Sequence, residues 1–200
     1  MPQGKVPPIS DVTLRFFTRI VRSYFRRHFR AVLIQNAKTL QEVKGPLIVY
    51  ANHASWWDPM VSVNLTAAFE LAREASKFMI EQRSGKIINI ASLFSFLGGQ
   101  GSPAYAATKA GLVGFTKAYC DELATHNIQV NAIAPGYLKT AITEATRADP
   151  AADRRIVEHI PAARWGETAD LMGAAVFLAS RAADYVNGHV LVVDGGYLVR

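Results

Sequence analysis

Tyr105 and Lys109 stand four residues apart in the stretch YAATK. On a helix that spacing sets both side chains on one face. An ammonium beside a phenol favours the phenolate, so the lysine is expected to lower the tyrosine pKa and tune it as a proton donor and acceptor near neutral pH. The same spacing also suits a plain solvated pair, so its surroundings decide. Ser92 closes the apolar stretch KIINIAS, thirteen residues before Tyr105. Gly98-Gly99-Gln100-Gly101 lies between them and can let a loop fold over a site. Pro135-Gly136 ends the next apolar stretch. Open α/β sheets bind ligands at the carboxyl ends of their strands. Three signals thus converge on one sheet edge.

The elements that must position these groups follow from periodicity. Residues 47–51, 86–91, 128–134 and 189–193 read as buried strands, bounded by turn residues. Residues 58–82 carry Val61, Leu65, Ala68, Leu71 and Ala72 at helical steps. Residues 105–124, 150–159 and 167–180 also read as helices, and residues 31–35 as a short strand. From residue 47 on, strands alternate with helices. That order predicts an α/β fold: a Rossmann-type, mainly parallel sheet flanked by helices and built from residues 47–200.

Charge divides the chain. Residues 1–60 hold nine Lys or Arg against three acids, which is the whole of the +6 excess in these 200 residues. Residues 61–200 hold thirteen of each sign. We therefore expect a basic segment 1–60 and a neutral part 61–200, joined in one compact unit. Residues 11–30 read as a helix with an aromatic face (Phe17, Tyr24, Phe25) beside an arginine face (Arg15, Arg19, Arg22, Arg26, Arg30). Such a helix packs its aromatic side on a core or lies on an anionic membrane surface. Arginines spread along one face, with no recognised motif, argue against nucleic acid. Half the residues are apolar, which excludes wholesale disorder. No apolar run reaches the ~18 residues of a membrane span. The start, MPQGKVPPIS, lacks a secretory pattern, and Cys120 stands alone, so a cytoplasmic location is expected. No Cys/His cluster has zinc spacing, and no metal is expected.

Residues 57–200 resemble the C-terminal part of the short-chain dehydrogenase/reductase family. The stretches that carry the resemblance are VNL (63–65), KIINIAS (86–92), YAATKAG (105–111), VNAIAPGYLKT (130–140) and VNGHVLVVDGG (186–196). The run PAARWGETADLMGAAVFLAS is similar to members that oxidise sugar acids. The resemblance implies NAD or NADP as cofactor and hydride transfer to or from an alcohol/ketone pair on a small molecule. It implies Tyr105 as general acid/base. Lys109 would depress the tyrosine pKa and hold the nicotinamide ribose. Ser92 would bond the substrate oxygen, and Asn64 would kink its helix and hold a water in a proton relay behind Lys109. Pro135, Gly136 and Thr140 would line the nicotinamide pocket. Each residue also has a plainer reading: Ser92 as a strand cap, Asn64 as a polar helix residue, Thr140 as a helix N-cap. Subunit contacts through the helices of residues 60–83 and 105–124 would make a homo-oligomer.

The family's Gly-rich pyrophosphate turn has no counterpart, because residues 1–84 contain only Gly4 and Gly45. Cofactor binding is expected to suffer, and the segment that would choose NAD or NADP is replaced. In its place, residues 11–60 resemble the start of the glycerolipid acyltransferase family. Asn52-His53-Ala54-Ser55-Trp56-Trp57-Asp58-Pro59 carries that likeness. It implies His53 as the base for a lysophospholipid hydroxyl and Asp58 as its orienting acid. The two patterns meet at Trp57-Asp58, which suggests a chimeric chain. Hydride transfer is the leading expectation, and acyl transfer at His53 and Asp58 is the first alternative. The second is a non-catalytic or unstable fragment with an exposed sheet edge.

Overall fold

A computed structural model describes residues 48–49, 62–99 and 101–200, all within one compact unit, Leu40–Arg200. The basic helix expected at 11–30, the strand at 31–35, His53 and Asp58 lie outside the described residues.

The strands are rich in β-branched and small residues, with Lys86, Asn89, Gln129 and Asn131 buried among them, and both faces are covered. β1 is Ile48–Val49, β2 Gly85–Ile90, β3 Ile128–Pro135 and β4 Val190–Val193. They make one sheet in the order β1-β2-β3-β4, and every pairing is parallel. Gly85 pairs with Ile128 and Ala132 with Val190, which fixes the register. Ile87 and Ile88 are both buried although they point to opposite faces, as a parallel sheet covered on both sides requires.

Helices α1 (Ala67–Gln82) and α2 (Pro103–Leu123) cover one face. Ala72, Ala75, Met79, Tyr119 and Leu123 close there on Ile87, Ile128 and Val130. A buried hydroxyl pair, Ser76 with Tyr119 at 2.6 Å, ties the two helices together. The other face packs α5 (Met172–Ala179), through Leu178, on Ile88 and Ile133. Short helices α3 (Glu144–Ala148) and α4 (Pro150–His159) follow β3. Two asparagines lock β4 in place. Asn131 donates to the Val186 carbonyl and accepts from His189 N–H; Asn187 accepts from Val130 N–H.

The expected elements of this part are present, with shifts of one or two residues at most ends. Three differences have local causes. The helix read from residue 58 runs as a π-helical turn over Ser62–Thr66 before α1 begins. Residues 168–171 are a 3-10 turn ahead of α5, held by a capping box between Glu167 and Asp170. Helix α3 was not expected, since its five residues carry no apolar repeat. Among the described residues, no helix is long and apolar enough to cross a membrane.

Candidate functional site

Ser92 stands two residues past Ile90, the end of β2, and caps the 3-10 turn Leu93–Ser95. Its Oγ accepts from Phe94 N–H at 3.3 Å, and its own N–H donates to Ser95 Oγ at 3.3 Å. Ser95 Oγ in turn donates to the Lys109 carbonyl at 2.8 Å. This clip fixes the strand end against the first turns of α2. There Pro103 sits at the helix start, where its missing N–H costs nothing.

Helix α2 comes close to the strand ends because the residues between them are small. Ala91, Ala132 and Ala134 form a buried patch with Val113 packed against it. Tyr105 and Lys109 consequently lie inside, at 7% and 3% exposure. The Tyr105 hydroxyl is hydrogen-bonded to Ser92, and its ring stands edge-on to Phe94 with centroids 5.8 Å apart. Lys109 Nζ lies 5.7 Å from the centre of the Tyr105 ring and donates to the Ile90 carbonyl at 2.7 Å. Serine, tyrosine and lysine are thus brought together at the carboxyl end of β2.

The electrostatics correct one expectation. Burial pushes the Tyr105 phenol up to about 12, and the Ser92 hydrogen bond opposes that only in part. Burial also brings the Lys109 ammonium down to about 8. Burial thus outweighs the lowering expected from the lysine, whose ammonium is turned to the Ile90 carbonyl and to the ring face. Desolvation disfavours both charged forms and outweighs their mutual stabilisation.

Asn64 lies in the π-helical turn, 6% exposed, and its Oδ1 is buried with no hydrogen-bond partner among the described residues. That turn abuts α2: a Cβ on Gly111 would come within 3.1 Å of Leu65 Cδ2. Leu65, the residue after Asn64, thus packs on α2 two residues beyond Lys109. Pro135 ends β3, and Gly136 N–H continues the ladder to the Val193 carbonyl at 2.8 Å. A Cβ on Gly136 would stand 2.5 Å from Asp194 Cα, so this glycine permits the close approach of two backbones. Thr140 follows in a tight turn in which its N–H donates to Thr143 Oγ1 at 3.0 Å. The cap of α3 is Thr143, not Thr140.

Two features escaped the sequence reading. Tyr137, Trp165, Tyr197 and His159 form an aromatic cluster behind the Pro135-Gly136 turn, with centroids 4.3–5.6 Å apart. Trp165 Nε1 anchors it to Asp153 at 2.6 Å. Its members come from four separate stretches, so no spacing announces them. The other is Arg147, whose guanidinium reaches back to the Thr140 carbonyl at 3.3 Å.

Comparison with known proteins agrees with this geometry. Over 144 residues the chain is 73% identical to the uncharacterised oxidoreductase YgcW of Escherichia coli (strain K12), covering 72% of this chain and 55% of that protein. It is 48% identical over 169 residues to the 2-dehydro-3-deoxy-D-gluconate 5-dehydrogenase of Bacillus subtilis (strain 168), covering 84% and 65%. The chain thus spans between half and two thirds of the length of these curated relatives. The crystal structure of a gluconate 5-dehydrogenase from Burkholderia cenocepacia J2315, in complex with NADP and tartrate, superposes with a TM-score of 0.75 at 32% identity. That match covers 91% of this chain and 81% of the other. A family model described as enoyl-(acyl carrier protein) reductase matches residues 18–198, a span that takes in the Asn52–Pro59 block and the expected junction at Trp57-Asp58. With that match over most of its length, the chain belongs to the short-chain dehydrogenase/reductase family.

Proposed function

We propose that the chain is an NAD(P)-dependent oxidoreductase that interconverts an alcohol and a ketone on a sugar acid. The observation that carries this reading is the buried meeting of Ser92, Tyr105 and Lys109 at the end of β2. The names of the similar proteins, gluconate and deoxygluconate dehydrogenases, support the substrate class. The NADP in the Burkholderia structure supports the cofactor class.

A bound nicotinamide supplies the hydride for reduction or takes it in oxidation. The chain's own residues do the rest. With its phenol near 12, Tyr105 holds its proton at neutral pH and is an acid ready to protonate a carbonyl oxygen. Ser92, fixed by Phe94 N–H and the Ser95 clip, bonds the same oxygen and stabilises charge as it develops. Oxidation requires the phenolate instead, so it gains as pH rises while reduction declines.

The donor set fits the nicotinamide end of the cofactor. The Lys109 ammonium and the Tyr105 hydroxyl suit ribose hydroxyls, and the Thr140 hydroxyl suits the carboxamide. Asn64 Oδ1, with no partner among the described residues, is a buried acceptor for a proton path behind Lys109. The pyrophosphate end has less to offer, given two glycines in residues 1–84. Two lost phosphate hydrogen bonds of this charge-assisted kind weaken binding by roughly 100-fold or more. By the same family reading, the chain self-associates through α1 and α2, which light scattering would show as a mass above 21.9 kDa. Acyl transfer at His53 and Asp58 has only the Asn52–Pro59 block behind it, and the family match spans that block. Hydride transfer is therefore the reading adopted.

The test is turnover of NADH or NADPH with 5-keto-D-gluconate, followed at the nicotinamide absorbance. Turnover in the wild type, with a loss of roughly 100-fold or more in kcat for Tyr105→Phe, is expected. Equal rates in the two proteins would sink the role of Tyr105. A melting temperature raised by about a millimolar of one nucleotide would identify the cofactor.

A further inference from the structure

Ser95 does more than a capping residue needs. In a capping box the third residue of the turn accepts from the backbone N–H of the cap, and a serine there keeps its hydroxyl hydrogen spare. Ser95 Oγ makes that bond with Ser92 N–H at 3.3 Å. Its hydrogen goes instead to the Lys109 carbonyl at 2.8 Å, fourteen residues along. Lys109 lies inside α2, so its carbonyl already serves the helix ladder, and Ser95 takes the second lone pair. The Lys109 side chain returns to the same strand end, with Nζ on the Ile90 carbonyl at 2.7 Å. Lys109 is therefore tied to residues 90–95 through both its backbone and its ammonium. The Ser95 tie is the one that leads directly to Ser92.

The hydroxyl is not what makes the turn. Backbone bonds close it, Ser95 N–H to the Ser92 carbonyl at 3.0 Å and Phe96 N–H to the Leu93 carbonyl at 2.9 Å. Ser92 itself is held at two points. Phe94 N–H sets the side chain by reaching its Oγ, and Ser95 sets the backbone from which that side chain starts. Tyr105 stands one helical turn before Lys109 on α2, so both move with that helix. The reach from Ser92 Oγ to the Tyr105 hydroxyl is thus referred to α2 through Ser95. We propose that Ser95 is a positioning residue for the reaction: its hydroxyl keeps Ser92 in hydrogen-bonding reach of Tyr105 and of the oxygen that both serve. This rests on the reading of the chain as an alcohol/ketone oxidoreductase.

The test is a double-mutant cycle in the full chain with Ser95→Ala, Ser92→Ala and the pair, read on turnover of NADH or NADPH with 5-keto-D-gluconate. Ser95→Ala should lower kcat roughly 10-fold, the scale of one lost hydrogen bond, and leave KM nearly unchanged. Ser95→Thr, which keeps the hydroxyl, should restore most of the rate. In the Ser92→Ala background, Ser95→Ala should cost nothing further, because the group it positions is gone. A second readout needs no turnover. In protein isotopically labelled at tyrosine Cζ, the Tyr105 resonance, assigned by its loss in Tyr105→Phe, follows the hydrogen bond of its hydroxyl. It should move in Ser95→Ala as it does in Ser92→Ala, and no further in the pair. Circular dichroism confirms that each variant is folded, and Ser95→Cys carries the same cycle should Ser95→Ala not fold. Independent, multiplying losses in kcat would overturn the proposal, as would a Tyr105 resonance unmoved by Ser95→Ala. Turnover that needs Tyr105 but ignores Ser95→Ala would overturn this proposal alone. Resonances that follow the cycle in a chain that turns nothing over would overturn the oxidoreductase reading alone.

Discussion

Lys109 places a measurable signature in the pH dependence of stability. Its ammonium stands at about 8 in the folded chain, against an ordinary 10.5. Between those values the unfolded chain binds the proton and the folded chain does not, so stability rises with pH across that window. Below it both states are protonated, and the fold carries the full cost of the buried charge. One pKa unit is worth about 1.4 kcal/mol, which makes the whole shift worth about 3 kcal/mol. About 2 kcal/mol of this is recovered between pH 7.5 and 10. Lys109→Met keeps most of the stem volume and removes the titration. It also removes the bond to the Ile90 carbonyl, a charge-assisted contact worth about 1.5–3 kcal/mol. At neutral pH those two effects nearly offset, so the slope is diagnostic and the level is not. The assay is urea unfolding followed by tryptophan fluorescence without nucleotide, at steps from pH 7.5 to 10. Tyr105 and Tyr137, both pushed up to about 12, lose stability only as pH rises from about 10 towards 12. The series therefore stops before they intervene. The wild type should gain about 2 kcal/mol relative to Lys109→Met across the series. Parallel curves for the two proteins would refute the argument that Lys109 is held as a buried, desolvated ammonium.

Two further predictions follow from close contacts. Gly136→Ala puts a Cβ 2.5 Å from Asp194 Cα, where only backbone can yield, so β3 and β4 must part. The urea midpoint should fall by the equivalent of about 1–3 kcal/mol, and an unchanged midpoint would show that the two strand ends are not so closely held. Tyr119→Phe leaves the Ser76 hydroxyl its bond to the Arg73 carbonyl and removes its partner at 2.6 Å. A loss of about 1 kcal/mol in the same assay is expected, with no change in the Tyr105-dependent reaction.

The strand and helix order after residue 84 was legible because strongly apolar strands alternate with long periodic helices. Ser92, Tyr105 and Lys109 were legible because strand end and helix start put them on one edge, whatever the detail of packing. The electrostatics were not. An i, i+4 spacing says that ammonium and phenol share a face; it does not say that Ala91, Ala132 and Ala134 draw α2 in until both groups are desolvated. Nor does it show that the ammonium turns to a strand carbonyl. Arg147 was silent for a related reason. Its contact with the Thr140 carbonyl depends on a turn closed by Thr143, and nothing in the local pattern predicts α3. The Tyr137, Trp165 and Tyr197 cluster is assembled from stretches that only the tertiary fold brings together.

The Ser95 clip has a consequence for how the site opens. It joins the turn that holds Ser92 to the carbonyl of Lys109 itself, so the strand end and the helix start share a hydrogen bond. Hydrogen exchange in native proteins proceeds through cooperative units rather than residue by residue. The amides of Ser92, Phe94 and the first turns of α2 should belong to one such unit and exchange with a common opening free energy. Serine, tyrosine and lysine would then be gained or lost together, and a half-assembled site would be a scarcely populated state.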